Sequence, residues 1–234
     1  LHSGSHGWER QFWSYETFET ASSLGIKLSL RDEESGFPGQ IQAEITYKLT
    51  DNKLEVTISG LSVTDTVFNP AWHPYFNLSA ELSTTHEHFI QANVDFLVET
   101  NQENIPTGRL RNVDDSSYSI KESVSIKKLL KDNPEGLDDC FVFNPKGDKS
   151  LMLYDPLSGR KLVAQTDRQA VVIYTATNPE TESMINGRPM SKNRGIAIEF
   201  QEIPDLVHHP EWGTIELKAG QKKMFISTYT FSTS

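Results

Sequence analysis

Short runs in which apolar and polar residues alternate are the feature of this sequence that most constrains its fold. The clearest pair is I-Q-A-E-I-T-Y-K-L at 41–49 and L-E-V-T-I-S-G at 54–60, which flank the turn-forming residues T-D-N-K. A second pair, at 151–155 and 161–166, flanks P-L-S-G-R. Alternation with a period of two predicts strands with one buried face, and such short connections predict antiparallel hairpins.

Further runs of the same kind continue along the chain, at 26–31, 88–98, 140–143, 170–176, 195–203, 213–218 and 223–232. The segment 124–131 differs, because it places Ile126, Leu129 and Leu130 at helical spacing. Many short strands with polar turns predict an all-β fold, an antiparallel sandwich or barrel, with a short helix. No change of composition and no repeat marks a linker, so we expect a single domain over 1–234.

The charge and the cysteine content argue against several kinds of partner and compartment. A formal net charge of −10 on 234 residues argues against nucleic acid, whose affinity comes mainly from cationic contacts to phosphate, and against an anionic membrane surface. No apolar run approaches the roughly 18 residues that a membrane span requires. Cys140 is the single cysteine and has no internal partner for a disulfide, so we expect a reducing, cytoplasmic environment. The chain opens on Leu1, so its lack of a signal peptide carries little weight.

The segment N-P-A-W-H-P-Y-F-N-L-S at 69–79 sets a histidine among aromatic rings. A residue before proline is disfavoured in helices, so His73 is predicted to lie in a strand or extended segment, where successive side chains point to opposite faces. The predicted core face carries Pro70, Trp72, Pro74, Phe76 and Leu78, and the predicted wall of a wet cleft carries Asn69, Ala71, His73, Tyr75 and Asn77. Rings beside amides suit a sugar, and a histidine exchanges protons near neutral pH. The alternative, a purely structural histidine, stays open at this point.

Three acidic residues, in two segments, also attract attention. Glu199 interrupts an apolar strand pattern in G-I-A-I-E-F-Q-E-I-P-D, and burial of its carboxylate would raise its pKa toward the range of a general base. The alternative is a glutamate paired with a lysine or arginine on an exposed face. Asp138 and Asp139 stand where a turn enters a strand, in G-L-D-D-C-F-V-F, where an aspartate usually caps the turn and less often binds a ligand.

Metal and cofactor chemistry is not indicated. A metal site could be drawn from His2, His6 and His73, but their spacing and the lack of a neighbouring carboxylate do not favour it. No nucleophile elbow, P-loop or dinucleotide fingerprint occurs. We therefore expect neither metal nor cofactor. The polar stretches 31–40 and 178–194 are predicted loops, the second either a lid or simply a mobile loop.

Taken together, four blocks resemble the aldose 1-epimerase family, also called galactose mutarotases. They are L-H-S-G-S-H-G-W-E-R-Q-F-W at 1–13, N-P-A-W-H-P-Y-F-N-L at 69–78, G-L-D-D-C-F-V-F at 136–143 and G-I-A-I-E-F-Q-E-I-P-D at 195–205. The resemblance implies a large antiparallel β-sandwich with one or two short helices. It also implies interconversion of the α and β anomers of free aldohexoses such as galactose and glucose, without a cofactor, by a monomer or weak dimer.

The resemblance also implies roles for particular residues. Glu199 would be the general base that removes the proton of the C1 hydroxyl, and His73 the general acid that protonates the ring oxygen. His2 and Asp138 would hold sugar hydroxyls, and Tyr75 and Asn69 share the predicted sugar-facing side.

Three departures from the family pattern leave alternatives open. The chain begins after the family's N-terminal segment, which carries a sugar-binding arginine and further strands; Ser3 replaces a glycine, and Val172 stands where many members have glutamine. A non-catalytic carbohydrate-binding protein on the same fold is one alternative. An epimerase for phosphorylated hexose, which needs arginines near the far end of the sugar, is another. A glycoside hydrolase would have to use Asp138 and Glu199 as its two carboxylates.

Overall fold

The structure is a computed structural model that describes residues 6–79, 81, 84–177, 184–185 and 187–233. Within these ranges the strands are β1 (Ser14–Glu19), β2 (Leu24–Asp32), β3 (Ile41–Thr50), β4 (Lys53–Ser62), β5 (Thr66–Val67), β6 (Tyr75–Phe76), β7 (Phe89–Ala92), β8 (Val94–Thr100), β9 (Pro106–Asn112), β10 (Val124–Ser125), β11 (Asp138–Phe143), β12 (Ser150–Tyr154), β13 (Arg160–Thr166), β14 (Ala170–Thr175), β15 (Met184–Ile185), β16 (Arg188–Pro189), β17 (Ile196–Gln201), β18 (Glu216–Leu217) and β19 (Lys222–Thr233). The α-helix found in the described ranges is α1 (Ile126–Asp132), and short 3₁₀ turns occur at Trp8–Arg10, Thr85–Glu87, Val113–Asp115 and Pro210–Trp212.

The larger sheet has nine antiparallel strands in the order β1-β2-β3-β4-β19-β13-β12-β7-β10. Both hairpins expected from the sequence are present in it. Strands β3 and β4 pair from Ile41 opposite Ser62 to Thr50 opposite Lys53, and β12 pairs with β13 along its whole length. Alternation of apolar residues fixes this register, because a slip by one residue would turn the buried side chains outward.

The smaller sheet has six antiparallel strands in the order β6-β17-β14-β11-β8-β9. Its inner residues, such as Phe141, Ile173 and Ile198, join one buried cluster with residues of the larger sheet, such as Ile58 and Leu153. The two sheets therefore cover each other in a β-sandwich, as the sequence predicted. Two small pairs, β15 with β16 and β18 with β5, complete the strand pairing of the described residues.

The segment that carries His73 leads into β6 at the edge of the smaller sheet, with the faces that the sequence indicated. Trp72 packs edge-on against Tyr229 of β19 at 4.9 Å between ring centroids, and Phe76 stacks on the same ring at 5.6 Å. His73 itself precedes β6 by two residues, outside regular strand. Because Trp72 and Phe76 anchor one face in the core, His73 and Tyr75 are turned to the other.

Several predicted boundaries differ from the structure. The predicted helix starts two residues later, at Ile126, because Val124–Ser125 forms β10 and the Ser125 hydroxyl accepts the backbone N–H of Lys128 at the helix start. The run 88–98 is divided into β7 and β8, and the run 213–218 gives strand only at Glu216–Leu217. Residues 178–183 and 186 of the predicted loop 178–194 lie outside the described residues.

No helix in the described ranges is both long and apolar enough to cross a membrane.

Candidate active site

One face of the smaller sheet collects the candidate residues through its register. Asp138 of β11 lies opposite Tyr174 of β14, Tyr174 opposite Ala197 of β17, and Ala197 opposite Tyr75 of β6. Directly opposed residues of antiparallel strands put their side chains on the same face. Four strands therefore bring Tyr75, Tyr174 and Asp138 to one side of the sheet, around the small side chain of Ala197.

Glu199 belongs to the neighbouring row of the same face. It lies opposite Val172, which in turn lies opposite Cys140, so its cross-strand neighbours on this face are apolar or weakly polar. Only 7% of Glu199 is exposed. Burial raises the pKa of its carboxyl to about 7, and the negative charge of Asp138 acts in the same direction. The carboxyl can therefore both take and release a proton near neutral pH.

His73 is in direct contact with this carboxyl. Its Nε2 lies 3.0 Å from Glu199 Oε1, and 34% of its side chain is exposed. The ring stacks on Tyr75 with 5.0 Å between centroids, and the carbonyl of the next residue, Pro74, accepts the N–H of Ile198 in β17. An imidazole that is partly open to solvent thus touches a buried carboxyl, which is the geometry of an acid–base pair.

Two tyrosines form an aromatic wall beside the pair. Tyr75 is 53% exposed, and its ring meets Tyr174 edge-to-face at 6.3 Å. The sequence drew attention to Tyr75 but not to Tyr174. The available signal was its position two residues after Val172 in the strand A-V-V-I-Y-T, which puts both on one face.

The adjacent aspartates Asp138 and Asp139 point to opposite faces of β11. Asp138 lies on the face of Glu199 and influences the pKa of that carboxyl. Asp139 lies on the other face, where burial raises its pKa to about 6, and its Oδ2 accepts the backbone N–H of Asp138. The local turn role that the sequence left open for both residues therefore fits Asp139, whereas Asp138 lies on the face where His73 meets Glu199.

The predicted sugar-binding residue Asn69 is bonded to the backbone of another segment. The Asn69 amide is hydrogen-bonded at both ends, since its Nδ2 donates to the Glu202 carbonyl at 3.2 Å and its Oδ1 accepts the Glu202 N–H at 2.9 Å. These bonds favour a supporting role, and a sugar contact for Asn69 stays a prediction. His2 lies outside the described residues. In the described part of the chain, no three His, Cys, Asp or Glu side chains are grouped so that they could hold a metal ion.

Comparison with known proteins agrees with the blocks noted in the sequence. A family model described as aldose 1-epimerase matches residues 1–230. The aldose 1-epimerase of Streptococcus thermophilus is 32% identical over 94% of this chain and 66% of its own length, and the galactose mutarotase of Homo sapiens is 27% identical over 99% of this chain and 69% of its own length. This chain thus spans about two thirds of the length of these relatives.

A solved structure extends the likeness to the fold. The GalM/aldose epimerase homologue from C. elegans superposes with a TM-score of 0.88 at 25% identity, covering 100% of this chain and 72% of that one. His73, Asp138 and Glu199, which the residues alone had singled out, fall within matched sequence and on one face of the fold. The chain belongs to the aldose 1-epimerase family.

Proposed function

We propose that this protein interconverts the α and β anomers of free aldohexoses by acid–base ring opening, with Glu199 as general base and His73 as general acid. One observation carries the proposal: the 3.0 Å contact between His73 Nε2 and Glu199 Oε1. Neither binding alone nor a packing role calls for a buried carboxyl with its pKa near 7 against an imidazole.

The geometry suits the chemistry of a hemiacetal. The carboxylate of Glu199 takes the proton of the C1 hydroxyl while protonated His73 gives a proton to the ring oxygen. The bond between C1 and the ring oxygen then breaks, and C1 becomes a carbonyl. Because both oxygens are bonded to C1, the base and the acid that serve them have to be neighbours. Rotation about C1–C2, reclosure of the ring and return of both protons give the other anomer and restore the enzyme.

The remaining groups on this face supply recognition in the proposal. The rings of Tyr75 and Tyr174 cover the C–H surface of the sugar, and the Asp138 carboxylate accepts hydrogen bonds from its hydroxyls. His2 adds a further sugar contact in the family pattern. The sugar is the only partner that the proposal requires, and we infer a monomer or weak dimer.

We also propose a single domain and a reducing, cytoplasmic compartment. One buried cluster is shared by both sheets, which supports one folding unit. Cys140 is buried and unpaired, as is common where thiols are kept reduced.

The rate at which the α and β anomers of galactose exchange at equilibrium tests the proposed chemistry, and its measurement needs no coupled enzyme. Proton NMR magnetisation transfer between the α- and β-anomeric signals of galactose should increase with added protein, and His73→Asn should lower this exchange rate by about 10²–10⁴-fold, the usual contribution of a general acid. Saturable line broadening of galactose without any exchange would favour the binding-only alternative. Release of reducing sugar from a disaccharide would favour a hydrolase.

A further inference from the structure

A buried arginine lies behind the segment that carries His73. Arg168 sits in the turn T-D-R-Q between β13 and β14, and only 1% of it is exposed. Burial lowers the pKa of its guanidinium to about 10, against the opposing effect of the Glu202 carboxylate. A cation in such a position is costly unless its donors are paired, so its hydrogen bonds identify what it holds in place.

The guanidinium joins three separate parts of the chain. Its Nε donates to Glu202 Oε1 at 3.1 Å, its Nη1 donates to the carbonyl of Pro70 at 2.8 Å, and its Nη2 donates to Asn69 Oδ1. The Asn69 amide closes the network through its two bonds to the backbone of Glu202. The guanidinium plane also lies 3.6 Å from the ring centroid of Phe225, which fixes it against the core.

The network ends close to both reacting groups. Pro70 is three residues before His73, and Glu202 is three residues after Glu199. On the other side of His73, the Pro74 carbonyl accepts the N–H of Ile198. The backbone around His73 is therefore attached to the strand of Glu199 on both sides, and the Arg168 network is the attachment on the N-terminal side.

We propose that Arg168, together with Glu202 and Asn69, positions His73 against Glu199 for proton transfer. This inference rests on the proposed function. The three residues act as positioning residues, because their side chains contact the protein and not the reacting atoms. Without the guanidinium fork, the Pro70 carbonyl loses its hydrogen bond, and on the N-terminal side of His73 the segment is held to Glu202 by the two bonds of the Asn69 amide. A displacement of about 1 Å at a reacting group can cost about 10²-fold in rate.

The test compares two substitutions of Arg168 with a surface control. Arg168→Met removes the fork, Arg168→Lys keeps the charge without the fork, and Arg109→Met removes an arginine whose side chain is 79% exposed. We expect Arg168→Met to lower kcat for anomer exchange by roughly 10–100-fold with KM changed less than about threefold, Arg168→Lys to recover part of the loss, and Arg109→Met to match wild type. If Arg168→Met fails to fold because it leaves a lone buried carboxylate, the double variant Arg168→Met/Glu202→Met removes both charges.

A second readout separates this inference from the proposed function. The ring protons of His73, assigned by their absence in His73→Asn, are followed by NMR over a pH titration in wild type and in the folded Arg168 variants. An altered titration midpoint supports positioning even if wild type proves inactive, in which case the proposed function alone has failed. An active wild type whose kcat and His73 titration are unchanged in folded Arg168→Met, or in the double variant, overturns the inference. An inactive wild type with an unchanged His73 titration overturns both.

Discussion

At the scale of the residue, Glu199 is placed where it costs stability. Its carboxyl has a pKa of about 7 in the folded protein against an ordinary value of 4.5, because burial disfavours the charged form. Between these two values the folded state keeps a proton that the unfolded chain has lost. Stability therefore decreases as the pH rises from about 4.5 to about 7, and the full cost, about 3 kcal/mol, is present above that window.

Replacement of this group should make the protein more stable. Glu199→Gln keeps the shape and removes the charge, so we expect its free energy of unfolding in urea to exceed that of wild type by about 2–3 kcal/mol at pH 8 and by little at pH 5. Glu202→Gln is the contrast, since that carboxylate is ion-paired with Arg168 and its loss should destabilise the fold. Equal destabilisation by both variants at pH 8 would contradict the assignment of a raised pKa to Glu199.

The pH dependence of activity should follow the same carboxyl. Since the base has to be ionised, kcat/KM should fall as the pH decreases through about 7. We call this decrease the acidic limb of the pH profile. Val172→Gln puts a hydrogen-bond donor opposite Glu199 and stabilises the carboxylate, so it should move the acidic limb to lower pH.

Val172→Leu is the matched control, because it keeps the environment of Glu199 apolar and should leave the acidic limb in place. An identical acidic limb in Val172→Gln and wild type would show that another group sets it.

At the scale of the element, the entry to β11 depends on a single glycine. Gly136 has φ of +97°, and a Cβ there would lie 2.2 Å from Thr177 Cγ2 and 2.8 Å from Thr175 Oγ1. The next residue, Leu137, donates its N–H to the Thr175 hydroxyl at 2.9 Å, which docks this turn on β14. Asp138 begins the strand immediately after this turn, so the turn sets where its carboxylate lies.

Alanine at this position should therefore be more harmful than alanine at a glycine with similar backbone strain. We expect Gly136→Ala to lower the free energy of unfolding by roughly 2–4 kcal/mol, from backbone strain and overpacking together. Gly220→Ala, at φ of +72° with nothing within 4 Å of the added carbon, should cost about 1 kcal/mol from backbone strain alone. If urea denaturation shows the same loss of unfolding free energy for Gly136→Ala and Gly220→Ala, the contact with Thr177 is relieved without cost, which contradicts this prediction.

The sequence predicted those strands in which burial of one face makes apolar and polar residues alternate. The hairpin of β3 and β4 was predictable because its inner residues alternate, as Ile41, Ala43 and Ile45 do. The strands β1 and β9 were not predicted, because both lie at sheet edges where most of their residues are exposed and apolar alternation is not needed.

In the candidate site, the sequence identified side chains but not their contacts. His73 and Glu199 stood out because their chemistry conflicts with their apolar surroundings. Their 3.0 Å contact depends on the pairing of β6 with β17, which no local pattern encodes. Tyr174 and the Arg168 network were not predicted for the same reason. Their partners come from distant segments of the chain, which only the pairing of the strands brings together.

At the scale of the whole molecule, the residues that stabilise the sandwich and the residues proposed to react lie on different faces of the sheets. The inner faces of the two sheets share one apolar core, while the outer face of the smaller sheet carries the proposed acid–base pair and the tyrosine wall. The net charge of −10 fits a neutral sugar better than an anionic one. We therefore predict an activity that requires only the sugar and the proposed proton-transfer pair.

Polarimetry on freshly dissolved α-D-galactose and α-D-glucose near neutral pH is the most direct test of this account. We predict that the protein accelerates the change of optical rotation toward equilibrium, and that Glu199→Gln, although folded and at least as stable, reduces the acceleration by about 10²–10⁴-fold. A rate equal to the spontaneous one with wild type would contradict the proposed activity. Wild-type acceleration that Glu199→Gln retains would contradict the assignment of the base.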